Sequence, residues 1–265
     1  MNTTYALLTS SAIILWAYMT GWFLLSVLKK RNDIADVAWG LGFIVVGSYA
    51  LFVNQTPTLS NKLVVVLTFF WGFRLALHIL TRNRGKTEDY RYAAWRKEWK
   101  SLFYIRSYLQ VFMLQGLLLL VVALPVILTA GLLNSIEIRA WTIAGLLLWA
   151  TGFLTESFAD LQLRQFMGTK PPKGSVLQSG LWKYSRHPNY FGEVIQWWGV
   201  WLIMASTTLT VELKLLGLLG PLTITMLIYF VSGIPMLEKK SMQNPEYKKY
   251  ARVTNKFFPW SPKSN

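Results

Sequence analysis

The feature that most constrains this chain is a series of apolar runs, each long enough to cross a lipid bilayer as one helix. A transmembrane helix needs about 20 predominantly apolar residues. Seven such runs lie near residues 5–28, 34–53, 63–80, 108–128, 140–158, 190–206 and 213–236. The sequence therefore predicts an all-α integral membrane protein with about seven transmembrane helices. The first run is longer than a signal-peptide core and follows no basic region, so we expect it to be retained.

The composition agrees with a membrane protein and excludes several other classes. Hydrophobic residues make up 53% of the chain and charged residues only 15%. The chain has no cysteine, which excludes disulfide frameworks and thiolate metal sites, and its two histidines have no metal-ligand spacing, so we expect no metal. The net charge of +15 is concentrated in loops, and we expect no nucleic-acid partner. Because no repeat or linker is visible, we treat residues 1–265 as one transmembrane domain.

The basic residues alternate between the two sides of the predicted membrane. Residues 29–31, 82–106, 164–186 and 239–263 hold 23 of the 27 Lys and Arg. The opposite loops carry only Lys62, Arg139 and Lys214, and Arg74 lies inside a helix. By the positive-inside rule, the N-terminus is predicted outside and the C-terminus in the cytoplasm.

Few ionisable residues lie within the apolar runs, where burial of one costs about 2.5 kcal/mol or more and requires a partner or a function. They are Asp36 in the second helix, Arg74 and His78 on one face of the third, Glu156 and Asp160 in the fifth, and Glu193 in the sixth. Arg164 follows Asp160 by four residues, which favours one charged face if the helix continues that far. An ion-paired helix terminus is the alternative. Together these residues predict a polar cavity that opens toward the cytoplasm.

The predicted cytoplasmic segments mix cations, amides and aromatic residues. Residues 82–86, 90–92 and 170–174 are the main examples. Such a mixture suits a phosphate-bearing ligand, because Arg binds phosphate through two hydrogen bonds and aromatic rings stack on bases. Charge that only sets topology is the alternative for any single Lys. The sequence has no GxGxxG element after a strand and no Walker loop, so a dinucleotide would bind without a Rossmann fold.

A turn motif precedes the sixth helix. Pro188 disfavours helix at His187, so residues 185–190 are predicted to form a turn that leads into the helix. Asn189, Glu193 and Gln196 then lie on one helical face. A polar stripe at a membrane boundary indicates a functional site.

Residues 178–193, Gln-Ser-Gly-Leu-Trp-Lys-Tyr-Ser-Arg-His-Pro-Asn-Tyr-Phe-Gly-Glu, resemble the C-terminal signature of the steroid 5α-reductase family. Residues 160–164 upstream, and 246–250 and 257–260 downstream, match in order and spacing. Residues 83–86 resemble the family's Asn-Arg-Gly-basic element in a cytoplasmic loop. The resemblance covers residues 80–260, with the C-terminal signature in 110–265, and the whole chain is similar to a bacterial member. It implies a location in the bacterial cytoplasmic membrane.

The resemblance implies a seven-helix reductase that uses NADPH to saturate the Δ4 double bond of a 3-oxo steroid or a similar enone lipid. The residues that match cofactor positions of the family are Asn83, Asp160, Arg164, Asn189, Glu193 and Tyr247. From charge, aromatic character and proximity we add Arg84, Lys86, Tyr90, Arg91, Tyr184, Arg186, His187 and Tyr190. We expect NADPH to enter from the cytoplasm, the substrate to enter from the bilayer, and the chain to act as a monomer.

The catalytic residues are matched less directly. The Gln-Glu pair and the Tyr that animal members direct at the 3-oxo group have no clear counterpart here. Asp36 falls near the place of that Glu, and Arg74 or His78 near the place of that Tyr. Because hydride addition to the β-carbon develops charge on the carbonyl oxygen, a donor must lie near that oxygen. We predict a protonated Asp36 as this donor, supported by Arg74 or His78.

Two other functions fit the same residues. Isoprenylcysteine and phospholipid methyltransferases, which use S-adenosylmethionine, carry a similar Arg-His-Pro-x-Tyr-x-Gly element before a helix. The additional phosphates of NADPH require more cations, which favours NADPH for this basic chain. The third hypothesis is a non-catalytic lipid carrier or sensor, in which the polar cluster only closes a lipid cavity.

Overall fold

The computed structural model describes residues 2–136 and 139–263, and this part of the chain is all-α, as predicted. Its described residues form no β-strand, and two isolated bridges pair Ile136 with Thr207 and Ser185 with Asn255. The chain divides into two compact units. One comprises Met1–Ile138 with Met204–Gly220, and the other Arg139–Ile203 with Pro221–Asn265. A single domain over the whole chain stays a prediction.

Twelve α-helices follow one another in the described residues. They are α1 (Asn2–Lys29), α2 (Ala35–Val53), α3 (Leu59–Asn83), α4 (Tyr90–Trp99), α5 (Phe103–Arg106), α6 (Leu114–Val122), α7 (Leu124–Gly131), α8 (Arg139–Gly168), α9 (Pro188–Ala205), α10 (Val211–Met226), α11 (Ile234–Ser241) and α12 (Pro245–Val253). Two π-helical segments, Ser107–Met113 and Leu227–Val231, lie within the helical runs. Such segments are frequent at functional sites.

Six helical segments in the described part are long and apolar enough to cross a membrane. They are Thr3–Lys29, Ile34–Val53, Leu59–Asn83, Tyr90–Val122, Ala140–Gly168 and Val211–Ser241. The protein is therefore a multi-pass membrane protein. The remaining predicted run forms α9, an 18-residue helix whose first half carries Asn189, Glu193 and Gln196 and is less apolar for that reason. The count of seven spans and the orientation of the termini stay predictions.

The predicted helix over residues 108–128 is not continuous. The helical run from Tyr90 includes the π-helical segment, and α6 ends at Val122. A new helix, α7, begins at Leu124 with Pro125 in its first turn. Proline lacks the N–H that a helix interior needs but suits a first turn, which explains the break.

In the first unit, α2 and α3 approach each other closely at two glycines. A Cβ atom on Gly40 would lie 2.8 Å from the carbonyl oxygen of Gly72, so a side chain at this point would separate the helices. Val37 packs on Ala76 and Ile79 one turn away. The first turn of α2, which carries Asp36, therefore lies alongside the last turns of α3.

In the second unit, α8 and α9 pack along a seam of glycines spaced by seven residues. A Cβ atom on Gly152 would lie 2.5 Å from the carbonyl oxygen of Gly192, and one on Gly145 would lie 2.8 Å from that of Gly199. Small residues with this spacing let helix backbones meet directly. The close approach brings the polar side chains of the two helices within hydrogen-bonding distance.

Candidate functional site

The polar cluster of the first unit centres on Asp36, in the first turn of α2. The phenolic O–H of Tyr92 donates to Oδ1 of Asp36 at 2.8 Å, and Nη2 of Arg91 donates to Oδ2 at 3.3 Å. Tyr92 is only 3% exposed and belongs to a buried hydrophobic cluster that includes Trp99 and Phe103. The structure thus brings two predicted site residues, Asp36 and Arg91, together and adds Tyr92, which the sequence analysis missed.

Arg91 is held between two carboxylates. Its Nη2 meets Asp36, and its Nε donates to Oδ1 of Asp89 at 3.0 Å. Oδ1 of Asp89 also accepts from the backbone N–H of Arg91, so that Asp89 caps the N-terminus of α4. Burial opposes ionisation of Asp89, but the hydrogen bonds and the charge of Arg91 outweigh it and keep the pKa of Asp89 below its usual value. Arg91 is therefore a positioning residue in this structure, and its contact with a cofactor stays a prediction.

Reciprocal hydrogen bonds join the loop between α1 and α2 to the loop between α3 and α4. Asp33 accepts from the backbone N–H of Asp89 at 3.2 Å, and Glu88 accepts from that of Asn32 at 2.6 Å. Each carboxylate also meets one guanidinium, since Arg31 donates to Asp33 and Arg96 donates to Glu88. These contacts fix the loop that carries part of the predicted cofactor site.

The predicted residues Asn83, Arg84 and Lys86 lie on a tight turn of that loop. The backbone N–H of Lys86 donates to the carbonyl oxygen of Asn83 at 3.1 Å. Gly85 has a φ of +72°, which a glycine adopts without strain. Arg84 and Lys86 are exposed, and Tyr90 is exposed at the start of α4. These cations are accessible to an anionic ligand.

Arg74 and His78 lie one turn apart on α3, as their spacing predicts, and both are half-buried. Their predicted support of Asp36 stays a prediction.

In the second unit, the seam between α8 and α9 carries two hydrogen-bonded pairs. Nδ2 of Asn189 donates to Oδ1 of Asp160 at 3.2 Å, and Nε2 of Gln196 donates to Oε2 of Glu156 at 2.7 Å. Because α8 continues to Gly168, the predicted alignment of Glu156, Asp160 and Arg164 on successive turns is confirmed. Arg164 is exposed at the end of this face. Glu193 is half-buried on α9.

A second cluster of this unit gathers around Glu238, in α11. Its Oε1 accepts from Nε of Arg186 at 2.7 Å and from the hydroxyl of Tyr247 at 3.3 Å, and lies 3.1 Å from Nε2 of His187. The structure thus brings three predicted residues together on a carboxylate that the sequence analysis missed. Glu238 closes the last apolar run immediately before a basic stretch, and an acid at such a point was the available signal.

Arg186 is 8% exposed and forms hydrogen bonds with both a carboxylate and two backbone carbonyl oxygens. Its Nη1 donates to the carbonyl oxygens of Ala251 and Thr254, each at 3.0 Å, beyond its bond to Glu238. It therefore fastens the turn before α9 to α11 and α12. Burial lowers the pKa of the neighbouring His187 below its ordinary value, despite the hydrogen bond with Glu238.

The predicted tyrosines of this unit differ in exposure. Tyr190 stacks on the ring of His187 with centroids 5.8 Å apart. Tyr184 is 43% exposed, and its carbonyl oxygen accepts from the backbone N–H of Trp260 at 3.2 Å. Burial, followed by the charge of Glu238, raises the pKa of Tyr247 above its ordinary value, so its hydroxyl stays protonated.

Comparison with known proteins places the chain in a family. It is 26% identical to an uncharacterized protein of Schizosaccharomyces pombe, over 88% of this chain and 74% of that protein. No solved structure was found to match the chain. Residues 22–254 match the family described as a protein of unknown function, DUF1295. Since the match covers most of the sequence, the chain belongs to the DUF1295 family.

Proposed function

We propose that this protein is a membrane-embedded, NADPH-dependent reductase of an enone lipid, such as a 3-oxo-Δ4 steroid. The observation that carries the proposal is the pair of Tyr92 and Asp36, a buried phenol that donates to a carboxyl group. Enone reduction needs a donor near the carbonyl oxygen, where negative charge develops. Methyl transfer to a thiolate or an amine needs no such donor. Membership of a family associated with steroid 5α-reductase-like proteins agrees with this chemistry.

In the proposed mechanism, Tyr92 donates to the substrate carbonyl and Asp36 orients it. When Asp36 is protonated, its O–H donates to the oxygen of Tyr92, and the phenolic O–H is then free to turn toward the substrate. Arg91 holds the other oxygen of the carboxyl group. The ring of Trp95 packs edge-on against Tyr92, with centroids 5.4 Å apart, and Tyr92 is only 3% exposed. Such a site holds little water, which strengthens each electrostatic contact. The enolate that hydride addition produces then takes up a proton at its α-carbon, which completes the reduction of the C=C bond.

Each unit by itself offers groups that suit a phosphate-bearing nucleotide. In the first unit, the exposed Arg84 and Lys86 are cations that suit phosphates. In the second unit, Asp160 and Asn189 are an acceptor and an amide that suit the ribose hydroxyls of NADPH. When bound, NADPH supplies the hydride for the β-carbon. Because Arg186 is buried and already bonded to Glu238, we expect it to position α9 rather than to meet a phosphate.

We place the protein in the bacterial cytoplasmic membrane, with NADPH entering from the cytoplasm. The apolar substrate would reach the Tyr92 pair from the bilayer. The six apolar spans support a membrane location, and the basic loops support a cytoplasmic cofactor.

Thermal unfolding of the purified protein with each cofactor tests the proposal. A ligand present at 100 times its Kd stabilises the folded state by about 2.7 kcal/mol, so NADPH should raise the unfolding midpoint and S-adenosylmethionine should not. Asn189→Ala should weaken the NADPH effect, because it removes the amide beside Asp160. Lys183→Ala is the matched control in the same motif.

Stabilisation by S-adenosylmethionine alone would overturn the reductase proposal in favour of a methyltransferase. Stabilisation by neither cofactor would favour the non-catalytic lipid carrier. If Asn189→Ala and Lys183→Ala reduce the stabilisation by NADPH equally, α9 does not carry a defined pocket.

A further inference from the structure

Asp33 is a buried carboxylate of the first unit that lies three residues before Asp36. It belongs to the loop between α1 and α2 and is only 1% exposed. Its two oxygens accept three hydrogen bonds. Nε and Nη2 of Arg31 donate at 2.7 Å each, and the backbone N–H of Asp89 donates at 3.2 Å. Because charge-assisted bonds of this kind are short and directional, Asp33 fixes the groups that it meets.

One branch of these contacts leads to the pair of Tyr92 and Asp36. Asp89, whose backbone N–H is held by Asp33, caps α4. Its carboxylate accepts from Nε of Arg91 at 3.0 Å and from Nη2 at 3.4 Å. The same Nη2 donates to Oδ2 of Asp36, whose other oxygen meets the phenol of Tyr92. A displacement of Asp89 would therefore move Arg91 and disturb the carboxyl group that orients the phenol.

A second branch leads to the turn at residues 83–86. The guanidinium of Arg31 that binds Asp33 also donates from Nη1 to the carbonyl oxygen of Lys86 at 3.3 Å. Arg84 and Lys86 are the exposed cations of this turn that suit the phosphates of a nucleotide. One buried carboxylate therefore connects the proposed donor to the substrate with the turn proposed to bind the cofactor.

Glu88 makes an equivalent set of hydrogen bonds that leads elsewhere. It accepts from the backbone N–H of Asn32 at 2.6 Å and from Nε and Nη2 of Arg96 at 3.1 and 3.0 Å. Nδ2 of Asn32 in turn donates to the hydroxyl of Ser107 at 2.8 Å, at the start of a π-helical segment. Glu88 thus joins the same two loops as Asp33, but its contacts continue to Ser107 instead of to Asp36.

We propose that Asp33 is a positioning residue of the enone reduction, which aligns the Tyr92–Asp36 pair with the turn at residues 83–86. This role rests on the proposed function. Hydride transfer requires the cofactor and the group that donates to the carbonyl to be held in one geometry, so an anchor common to both raises the rate. Asp33 acts through Asp89 and Arg31, and its loss should therefore slow the reaction without weakening the binding of the enone.

Steady-state NADPH oxidation with progesterone, by the full-length protein in detergent, tests the proposal. Asp33→Asn leaves one acceptor oxygen for three donors. It should lower kcat by about 10²-fold and raise the KM for NADPH, while the KM for progesterone stays unchanged. Glu88→Gln is the matched control, because it removes one acceptor oxygen from an equivalent set of bonds. It should lower the unfolding midpoint to a similar extent but leave kcat unchanged.

Two further variants separate positioning from a general loosening of the loops. Asp89→Asn keeps an N-cap for α4 but weakens the hold on Arg91, so it should also lower kcat, and it carries the test if Asp33→Asn does not fold. In a double-mutant cycle, adding Asp33→Asn to Arg91→Gln should lower kcat by no more than about two-fold, because both changes act on the same contact.

Three results are distinguishable from the expected one. Equal kcat values for Asp33→Asn and Glu88→Gln would overturn the proposal, since both carboxylates would then only join the loops. A full further loss of kcat on adding Asp33→Asn to Arg91→Gln would show that Asp33 does not act through Arg91. Absence of NADPH oxidation by the native protein would instead overturn the reductase function, and the role of Asp33 with it.

Discussion

The contact between α8 and α9 is the feature whose perturbation has the most direct consequence. A Cβ atom on Gly192 would lie 2.6 Å from the backbone nitrogen of Glu156 and 2.6 Å from the carbonyl oxygen of Gly152. Both neighbours are backbone atoms of α8, so no side chain can rotate away to relieve the clash. Gly192→Ala therefore requires the two helices to separate.

The size of the effect follows from the geometry. Restoring an ordinary contact means moving from 2.6 Å to 3.4 Å, a separation of about 0.8 Å. Overpacking of this kind costs about 1–3 kcal/mol. The same movement would lengthen the 2.7 Å hydrogen bond between Gln196 and Glu156 to about 3.5 Å, at the limit of a hydrogen bond. We expect a lower free energy of unfolding and a weaker response to NADPH from the one substitution.

Thermal unfolding in detergent, with and without NADPH, measures both effects. Gly152→Ala, which faces the carbonyl oxygen of Gly192 at 2.5 Å, should behave like Gly192→Ala. Gly168→Ala is the matched control on α8, because a Cβ atom there meets no atom within 4 Å. Gly168→Ala should unfold at the same temperature as the native protein. If Gly192→Ala also does so, the close approach of the two helices is wrong.

Three further predictions concern single side chains. Tyr92→Phe removes the phenolic donor, so single-turnover NADPH oxidation with progesterone should fall by about 10²-fold or more while NADPH binding persists, and unchanged turnover would remove Tyr92 from the mechanism. Glu238→Gln leaves the buried Arg186 without its carboxylate and should lower the free energy of unfolding by about 3 kcal/mol, whereas the exposed Glu246→Gln should have little effect. Burial lowers the pKa of His187 below 6.5, so the unfolded state binds its proton more tightly. The unfolding midpoint should therefore fall as the pH drops from 6.5 through the pKa of His187 in the folded state. If the midpoint of His187→Gln depends on pH in the same way, His187 is not the group responsible.

The helices could be predicted from the sequence because hydropathy along the chain is a local property. A run of about 20 apolar residues has few alternatives to a membrane helix, whatever its neighbours are. The apolar run in the sequence stops at 158, and the single charged face of Glu156, Asp160 and Arg164 was predicted on the condition that the helix continues; α8 does continue, to Gly168. Asp160 and Arg164 lower the hydropathy beyond residue 158, so hydropathy alone could not place the end of this helix. The burial of Asp160 is compensated by its hydrogen bond with Asn189 on α9.

The partners of the polar side chains could be predicted only in part. Asn189 was placed near the proposed cofactor from its motif, and its bond to Asp160 adds a contact between residues 29 positions apart. Tyr92 lies 56 positions from Asp36, and Glu238 lies 52 from Arg186. Neither spacing has a periodic signal, because the contacts depend on how whole helices pack. The sequence predicted which residues are costly to bury and could not predict which side chain compensates for each.

Residues 178–193 combine structural residues with a candidate cofactor residue. Arg186 and Gly192 are buried and hold helices together, whereas Asn189 is only half-buried. Arg186 holds α11 and α12 through Glu238 and two carbonyl oxygens, so its loss would disturb the fold of the second unit whether or not a cofactor binds. Gly192 sets the distance between α8 and α9. Asn189 makes one bond of 3.2 Å to Asp160 and lies on the polar face that the motif predicts. A loss of NADPH binding is therefore evidence for a cofactor contact at Asn189, whereas the same loss at Arg186 or Gly192 is expected from packing alone.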